Sequence, residues 1–461
     1  MDERRRETPS AHRSGERVRT KLGRIAAKAR EDKRFQFTSL YHLMNEELLR
    51  ESFSELKKDR AAGVDKVTKE EYAENLESNI RSLLERLHQM AYRPQPVRRV
   101  YIPKPGGNKR RPLGIPSLED KLVQKAMAKI LAAIYEEDFI EESYGSRPRR
   151  GCHDALRKLT QIVEQEGTNY VVEADIRGFY DNVEHGWMRK FVEHRIQDKR
   201  VLRMIVRFLR AGVIEEGKWT ASEEGTPQGG SISPMLANIY LHYALDLWFK
   251  GRYRKTCKGK AELIRYADDF VVCFQHREDA MRFEGELKAR LEQFGLEVEP
   301  AKTKMLEFGK RAASNAKARG EKPGTFEFLG FTHYLSKGRR GQFRMKRVTS
   351  GKKYRAKLAE MKEWVKRGRR QPLKKLMAGV GAKLNGHYQY YGVTDNYRGI
   401  GRFTEEVKKL VFKWLNRRSQ RRSYTWGEYE KMLERFPLPK PRIRVNLYYS
   451  RCKGLFGEPC A

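Results

Sequence analysis

The sequence predicts an α+β protein: helices first, then a small sheet of split βαβ form with acids at one end, then a separate basic module. Three observations predict it. Apolar runs of strand length meet carboxylates, Tyr170-Val171-Val172-Glu173-Ala174 running into Asp175, and Leu263-Ile264 and Phe270-Val271-Val272-Cys273-Phe274 flanking Tyr266-Ala267-Asp268-Asp269. Amphipathic helical stretches lie between these runs, so strand, helices, hairpin, helix and strand follow one another as in a split βαβ unit. Charge, lastly, is uneven. Residues 335–461 carry 34 basic and 9 acidic side chains, 25 of the formal excess of +37, which marks a separate module with its own partner surface.

Taken in order, residues 1–34 are Arg-rich and poor in apolar side chains, which predicts a basic flexible arm. Leu40, Leu43, Leu48, Leu49 and Phe53, then Leu76, Ile80, Leu83, Leu84 and Leu87, predict two amphipathic stretches, with Arg60-Ala61-Ala62-Gly63-Val64-Asp65 as the turn between them. Residues 150–166 and 184–214 read as helices. The stretch 279–294 is a third, with Ala280, Phe283, Leu287, Leu291 and Phe294 on one stripe and Gly295 as its stop. Residues 309–322, rich in Lys, Ala and Gly, read as a loop insertion, and Pro323-Gly324-Thr325 opens the last strand of the sheet. The divisions expected are 1–34, 35–165, 166–335, 336–440 and a tail, 441–461.

The acids carry the chemistry. Two carboxylates at a strand-to-strand turn repel each other, so the site favours divalent cations able to hold a triphosphate. A strand ending in Asp175 beside a hairpin tipped by Asp268 and Asp269 supplies ligands for two hard cations about 3.5–4 Å apart, which can activate an attacking hydroxyl and stabilise a leaving phosphate. Hard oxygen donors point to Mg2+, with Mn2+ as a substitute, and Ile176 beside Asp175 is counted with the metal site. Lys104 and Arg111 flank a Gly-rich loop between strand-like segments, where flexible cations can close over a triphosphate. Lys302 follows Pro300 at a strand start and is expected to face the same centre.

A net charge of +37 calls for a polyanionic partner, of which nucleic acid is the commonest, or else leaves strong self-repulsion to be tolerated on a merely very soluble surface. No apolar run approaches the ~20 residues of a membrane span, and no signal-peptide pattern opens the chain. Five scattered cysteines suggest a reducing, cytoplasmic setting, without a disulfide framework. In the basic module most aromatics read as core, whereas Lys352, Lys353, Arg369, Arg370, Lys374, Lys375, Arg417, Arg418, Arg421 and Arg422 need counterions or phosphates as neighbours and are the candidate RNA contacts.

Several blocks in order resemble the reverse transcriptases encoded by bacterial group II introns. They are Tyr101-Ile102-Pro103-Lys104-Pro105, Arg111-Pro112-Leu113-Gly114-Ile115-Pro116, Ser143-Tyr144-Gly145-Ser146-Arg147-Pro148, Asp175 with Phe179 and Tyr180, and Gly225-Thr226-Pro227-Gln228-Gly229-Gly230-Ser231-Ile232-Ser233-Pro234. Tyr266-Ala267-Asp268-Asp269, Lys302-Thr303-Lys304 and Phe328-Leu329-Gly330-Phe331 follow. Ser146 stands where the family usually has an aromatic. The resemblance implies a right-hand polymerase: fingers of helix and strand, a palm, and an α-helical thumb or maturase module, whose likeness rests on Leu384-Asn385-Gly386-His387-Tyr388-Gln389-Tyr390-Tyr391-Gly392.

It further implies Asp175, Asp268 and Asp269 as catalytic acids. Lys104, Arg111, Tyr180, Gln228 and Lys302 become nucleotide contacts, with Tyr180 as the ribose gate. The implied partners are group II intron RNA, an RNA template with a DNA primer, dNTPs and target DNA, in a maturase that assists splicing and copies the intron during retrohoming. A retron, diversity-generating or host-recruited polymerase, or a splicing-only RNA-binding protein, is the alternative. After residue 440 there are two cysteines and no histidine, so no endonuclease of the Cys and His type is expected, and a free DNA primer is.

Overall fold

A computed structural model describes residues 9–103, 110–215, 218–221, 224–226, 229–338, 340–419 and 423–448. Its strands in chain order are β1 (Val97–Pro103), β2 (Arg110–Ile115), β3 (Tyr170–Asp175), β4 (Val213–Glu215), β5 (Lys218–Thr220), β6 (Ala261–Tyr266), β7 (Asp269–Phe274), β8 (Lys304–Glu307), β9 (Phe326–Phe328), β10 (Phe331–Lys337) and β11 (Phe343–Thr349). They form three sheets, ordered β2-β1-β4-β5, β6-β7-β3-β8 and β11-β10-β9. The architecture is α+β, as expected.

The sheet β6-β7-β3-β8 is antiparallel throughout and covered on both faces. Val172, Ala174, Leu263, Phe270, Val272 and Phe274 join one core, with the helices Leu118–Asp138, His185–Glu193, Lys199–Leu209, Ser233–Leu241 and Arg277–Glu292. Val171, Ile264, Val271 and Cys273 join another, with Cys152–Gln165 and the C-terminal helices Gly351–Gly368, Leu373–Tyr391, Tyr397–Leu415 and Trp426–Arg435. Two-sided burial explains why these strands read as continuous apolar runs.

Helix ends follow local chemistry. Ser117 accepts from the Asp120 N–H, Thr425 and Glu428 form a capping box, and Gly295 at φ 65° sits where the helix Arg277–Glu292 must stop.

Four expectations change. The basic arm is not loose over its described length: Pro9–Glu31 is a helix. Val18, Leu22, Ile25 and Ala29 recur at helical spacing and pack into the first core, too sparse a stripe to stand out among so many arginines. Arg30 pairs with Glu137 at 2.8 Å, and the buried Arg195 donates to the carbonyls of Ala29 and Asp32. The stretch 184–214 breaks into two helices at Asp198, whose carboxylate caps the second and also accepts from the Leu40 and Tyr41 N–H groups. Within 309–322, Ala312–Ala318 is a helix seated on Ala312 and Ala316. The division at 335/336 falls inside β10, because that strand continues in register with β11 as far as Lys337.

Candidate active site

Asp175 ends β3 and Asp269 begins β7, and the two are register partners. Tyr266 and Asp269 also pair, so Ala267 and Asp268 are the two residues of a tight hairpin turn. Ala267 has φ 57°, a conformation that such turns usually give to glycine. Chain direction and register thus bring three carboxylates to one end of one sheet. Burial, then repulsion from Asp175, Asp268 and Glu173, pushes the Asp269 carboxyl up to about 7. Burial, then Asp175, also raises Asp268, against the pull of Arg111 and Lys302.

The segment after β3 is stitched to residues 297–302. Arg177 N–H donates to the Glu297 carbonyl and Glu299 N–H to the Asp175 carbonyl, both at 2.8 Å, around a bridge between Ile176 and Val298. Since successive carbonyls of an extended chain point to opposite edges, the Ile176 carbonyl is directed to the β7 side, where the turn acids stand. Pro300–Lys302 is one 3-10 turn preceding β8, so Lys302 lies ahead of the strand, and its ammonium pairs with Asp175 Oδ2. Among the described residues no group of three or more His, Cys, Asp or Glu side chains stands ready to hold an ion. The acids are neighbours without being a closed cage, and one of them is held by a lysine.

Tyr180 lies in the turn Phe179–Asp181, entered through Gly178 at φ 51°. Burial, then Asp268, pushes its phenol up to about 12, while Arg111 on β2 opposes the shift, so ring, acid and cation share one field. The Thr226 N–H donates to the Tyr180 carbonyl at 2.7 Å and the Gly225 N–H to that of Val183 at 2.8 Å. Gly225 has φ 84°, and a Cβ there would stand 2.9 Å from the Asp181 carbonyl. Lys104 and Gln228 lie outside the described residues. Gln228 is flanked on its far side by Gly230 and Ser231, whose N–H donates to Gln124 Oε1 at 2.8 Å.

Residues 102–333, half of the sequence and all of this site, match the family Reverse transcriptase (RNA-dependent DNA polymerase). The chain belongs to the reverse transcriptases. Such a domain carries a general dependence on divalent metal. Group II intron-encoded protein LtrA of Lactococcus lactis subsp. cremoris is 38% identical over 275 residues, 59% of this chain and 45% of LtrA. Protein YkfC of Escherichia coli (strain K12) is 37% identical over 267 residues, 50% of this chain and 70% of YkfC. An uncharacterized 91 kDa protein in the cob intron of Schizosaccharomyces pombe is 42% identical over 147 residues, 32% of this chain and 18% of that protein. The chain therefore spans less than half the length of LtrA.

The candidate RNA contacts of this reverse transcriptase fall in two places. Lys352 and Lys353 are exposed at the start of the helix Gly351–Gly368, Lys353 beside the Gly330 turn. Arg369 and Arg370 lie just past its other end, about 25 Å away by helical rise. There Arg369, Arg417 and Lys366 gather over the Trp414 ring at 5.5 to 5.7 Å, and Arg418 reaches the Gln371 carbonyl. Lys374 and Lys375 are exposed on the next helix. Arg421 and Arg422 lie outside the described residues. Among the described residues no helix is long and apolar enough to cross a membrane.

Two buried groups at this site escaped the sequence reading. His185 holds the Gly225 carbonyl at 2.8 Å, and Arg265 braces the turn of the acids. Arg265 carried a signal, a charge inside an apolar strand. His185, in a polar stretch, carried none.

Proposed function

We propose that this chain is an RNA-directed DNA polymerase that also acts as a maturase, binding group II intron RNA to assist splicing and copying it into DNA during retrohoming. The observation that carries the polymerase reading is the pairing of Asp175 with Asp269 beside Asp268, with Lys302, Arg111 and Tyr180 around them. The donor set fits divalent ions: hard oxygens only, with more negative charge than the one lysine offsets. Asp175, Asp268 and Asp269, with the Ile176 carbonyl, would hold Mg2+, or Mn2+ in its place. Bound there, such ions supply the positive field that acidifies a primer 3′-hydroxyl and stabilises the pyrophosphate leaving group.

The protein's own residues do the rest. Arg111 and Lys104 hold the triphosphate. Tyr180 sets its ring where the sugar must lie and excludes a 2′-hydroxyl, and Gln228 contacts the incoming nucleotide. Lys302, paired with Asp175, is the residue that would hand a proton to the leaving phosphate. In this reading residues 35–165 are fingers, the palm runs from 166 to the β10–β11 hairpin, and the helices after it, to about residue 440, are the thumb or maturase module, which grips RNA through backbone phosphates and 2′-hydroxyls.

The maturase reading is supported by similarity to LtrA and to proteins of other introns, and by basic side chains on the C-terminal helices. Two measurements with purified protein test the proposal: primer extension on poly(rA) with an oligo(dT) primer, and acceleration of splicing of the neighbouring intron RNA. Loss of the first alone leaves an RNA-binding splicing factor; loss of the second alone leaves a polymerase of another context.

A further inference from the structure

Arg265, on β6 one residue before Tyr266, is fully buried, as is Asp246 opposite it. Its guanidinium is almost fully engaged. Nε and Nη2 donate to the two Asp246 oxygens at 2.8 and 2.5 Å, and Nη1 donates both to Asn238 Oδ1 and to the Ala267 carbonyl at 3.0 Å. Ala267 is the positive-φ residue of the turn that carries Asp268 and Asp269. A non-glycine residue persists in that conformation only where its surroundings over-determine it.

The surroundings do so from two sides. Asn238 passes the hold on, donating from Nδ2 to the Gly145 carbonyl at 2.8 Å. Gly145 lies so close that a Cβ there would be 2.2 Å from the Ala267 nitrogen. The main chain of Arg265 is clamped as well, its N–H on the Glu142 carbonyl and its carbonyl on the Tyr144 N–H. Asp246 ends a π-helical turn, His242–Asp246, a local widening that recurs at functional sites. His242 stands 4.0 Å from the same carboxylate, but burial pushes its imidazole down to about 4, so the charge facing Asp246 is that of Arg265.

A buried ion pair is weak evidence for stability, because an apolar pair of equal volume can serve a core as well. What only a guanidinium offers is a rigid fork that reaches a carboxylate, an amide and a carbonyl together. We propose that Arg265, anchored on Asp246 and Asn238, is the positioning residue that fixes the strained Ala267 turn and thereby sets Asp268 and Asp269 to receive the divalent ion. This rests on the polymerase reading of the same acids.

Arg265→Lys separates positioning from support, since an ammonium retains the charge opposite Asp246 but cannot span three partners. Mn2+ binding to the full-length protein, read by electron paramagnetic resonance, and the Mg2+ concentration for half-maximal primer extension are compared in wild type, Arg265→Lys, Asn238→Ala and Asp269→Asn. The expected result is at least a tenfold weakening of Mn2+ binding in Arg265→Lys and Asn238→Ala, a matching rise in the Mg2+ requirement, and an unchanged circular dichroism spectrum. Folded variants whose Mn2+ binding stays within twofold of wild type overturn the proposal. Where Arg265→Lys does not fold, Asn238→Ala decides, and unfolding of both also overturns it, because the network would then serve the core. Wild-type protein that binds Mn2+, loses it in Arg265→Lys and yet extends no primer overturns the polymerase reading alone.

Discussion

The ammonium of Lys302 is paired with Asp175 across 127 positions of sequence, so a lysine answers one of the acids. The ion pair raises the Lys302 pKa above its ordinary value. Were Asp175 to hold a divalent ion, the Lys302 ammonium would be free to act as a proton donor. Lys302→Met should lower the single-turnover rate of nucleotide addition by roughly 10²-fold, the scale of general acid catalysis, and tighten Mn2+ binding in the absence of nucleotide. Rapid-quench kinetics and metal titration check the two halves.

Metal uptake should depend on pH in a defined window. With its pKa at about 7, Asp269 carries a proton over much of the range below that value, and an ion must displace it. Mn2+ affinity should therefore rise by up to about tenfold per pH unit between pH 6 and 7 and level off above. Stability runs the other way. The folded metal-free protein binds more protons than the unfolded chain from the ordinary carboxylate range up to about 7, so this group makes the fold less stable as pH rises through that window. Asp269→Asn should flatten the slope in urea titrations without metal.

Asp268→Asn should reduce DNA synthesis by about 10³-fold or more, the order seen when a group organising transition-state charge is removed. Binding of intron RNA should change by less than about twofold, because the cations at Trp414 and Gly330 are untouched. Filter binding and primer extension on the same preparation check the separation.

Tyr180→Ala should admit ribonucleotides. The ring is part of the packed wall next to Phe179, at 5.3 Å between centroids, and its removal leaves space at the sugar. Discrimination between dNTP and rNTP in kcat/KM should fall by about 10- to 200-fold, the range for a steric pocket contact.

Arg369→Ala with Arg417→Ala removes two of the three cations over Trp414. RNA affinity should weaken, and the slope of its logarithm against that of salt concentration should fall by about 1 to 2, with catalysis on a short primer-template unchanged. An unaltered slope would remove this patch from the RNA interface.

Much of the fold was legible because its signals are local. The strands around Asp175 and the Tyr266–Asp269 turn announce themselves through apolar runs buried on both faces, and the helix Arg277–Glu292 through its stripe and its glycine. The helix Pro9–Glu31 was not legible, since what holds it is the packing of its sparse stripe, Val18, Leu22, Ile25 and Ala29, into a core built from distant parts of the chain, with Glu137 and Arg195 fixing only its end. The acids and the lysine could be chosen by residue type and order. Arg265, Asp246 and Asn238 could not be joined from sequence, because between Asn238 and Asp246 the helix passes into a π-turn that breaks the regular spacing.

Val171 and Val172 are neighbours in the chain, yet one belongs to the core shared with the C-terminal helices and the other to the core shared with the N-terminal ones. A chain cut after residue 335 would remove β11 and the C-terminal helices from the core that also holds Val171, Ile264, Val271 and Cys273, and would bare the side of the helix Cys152–Gln165 that packs on β11. Shortening this protein there would thus leave apolar surface open behind the sheet whose tip holds the acids, and the fragment is expected to be sticky.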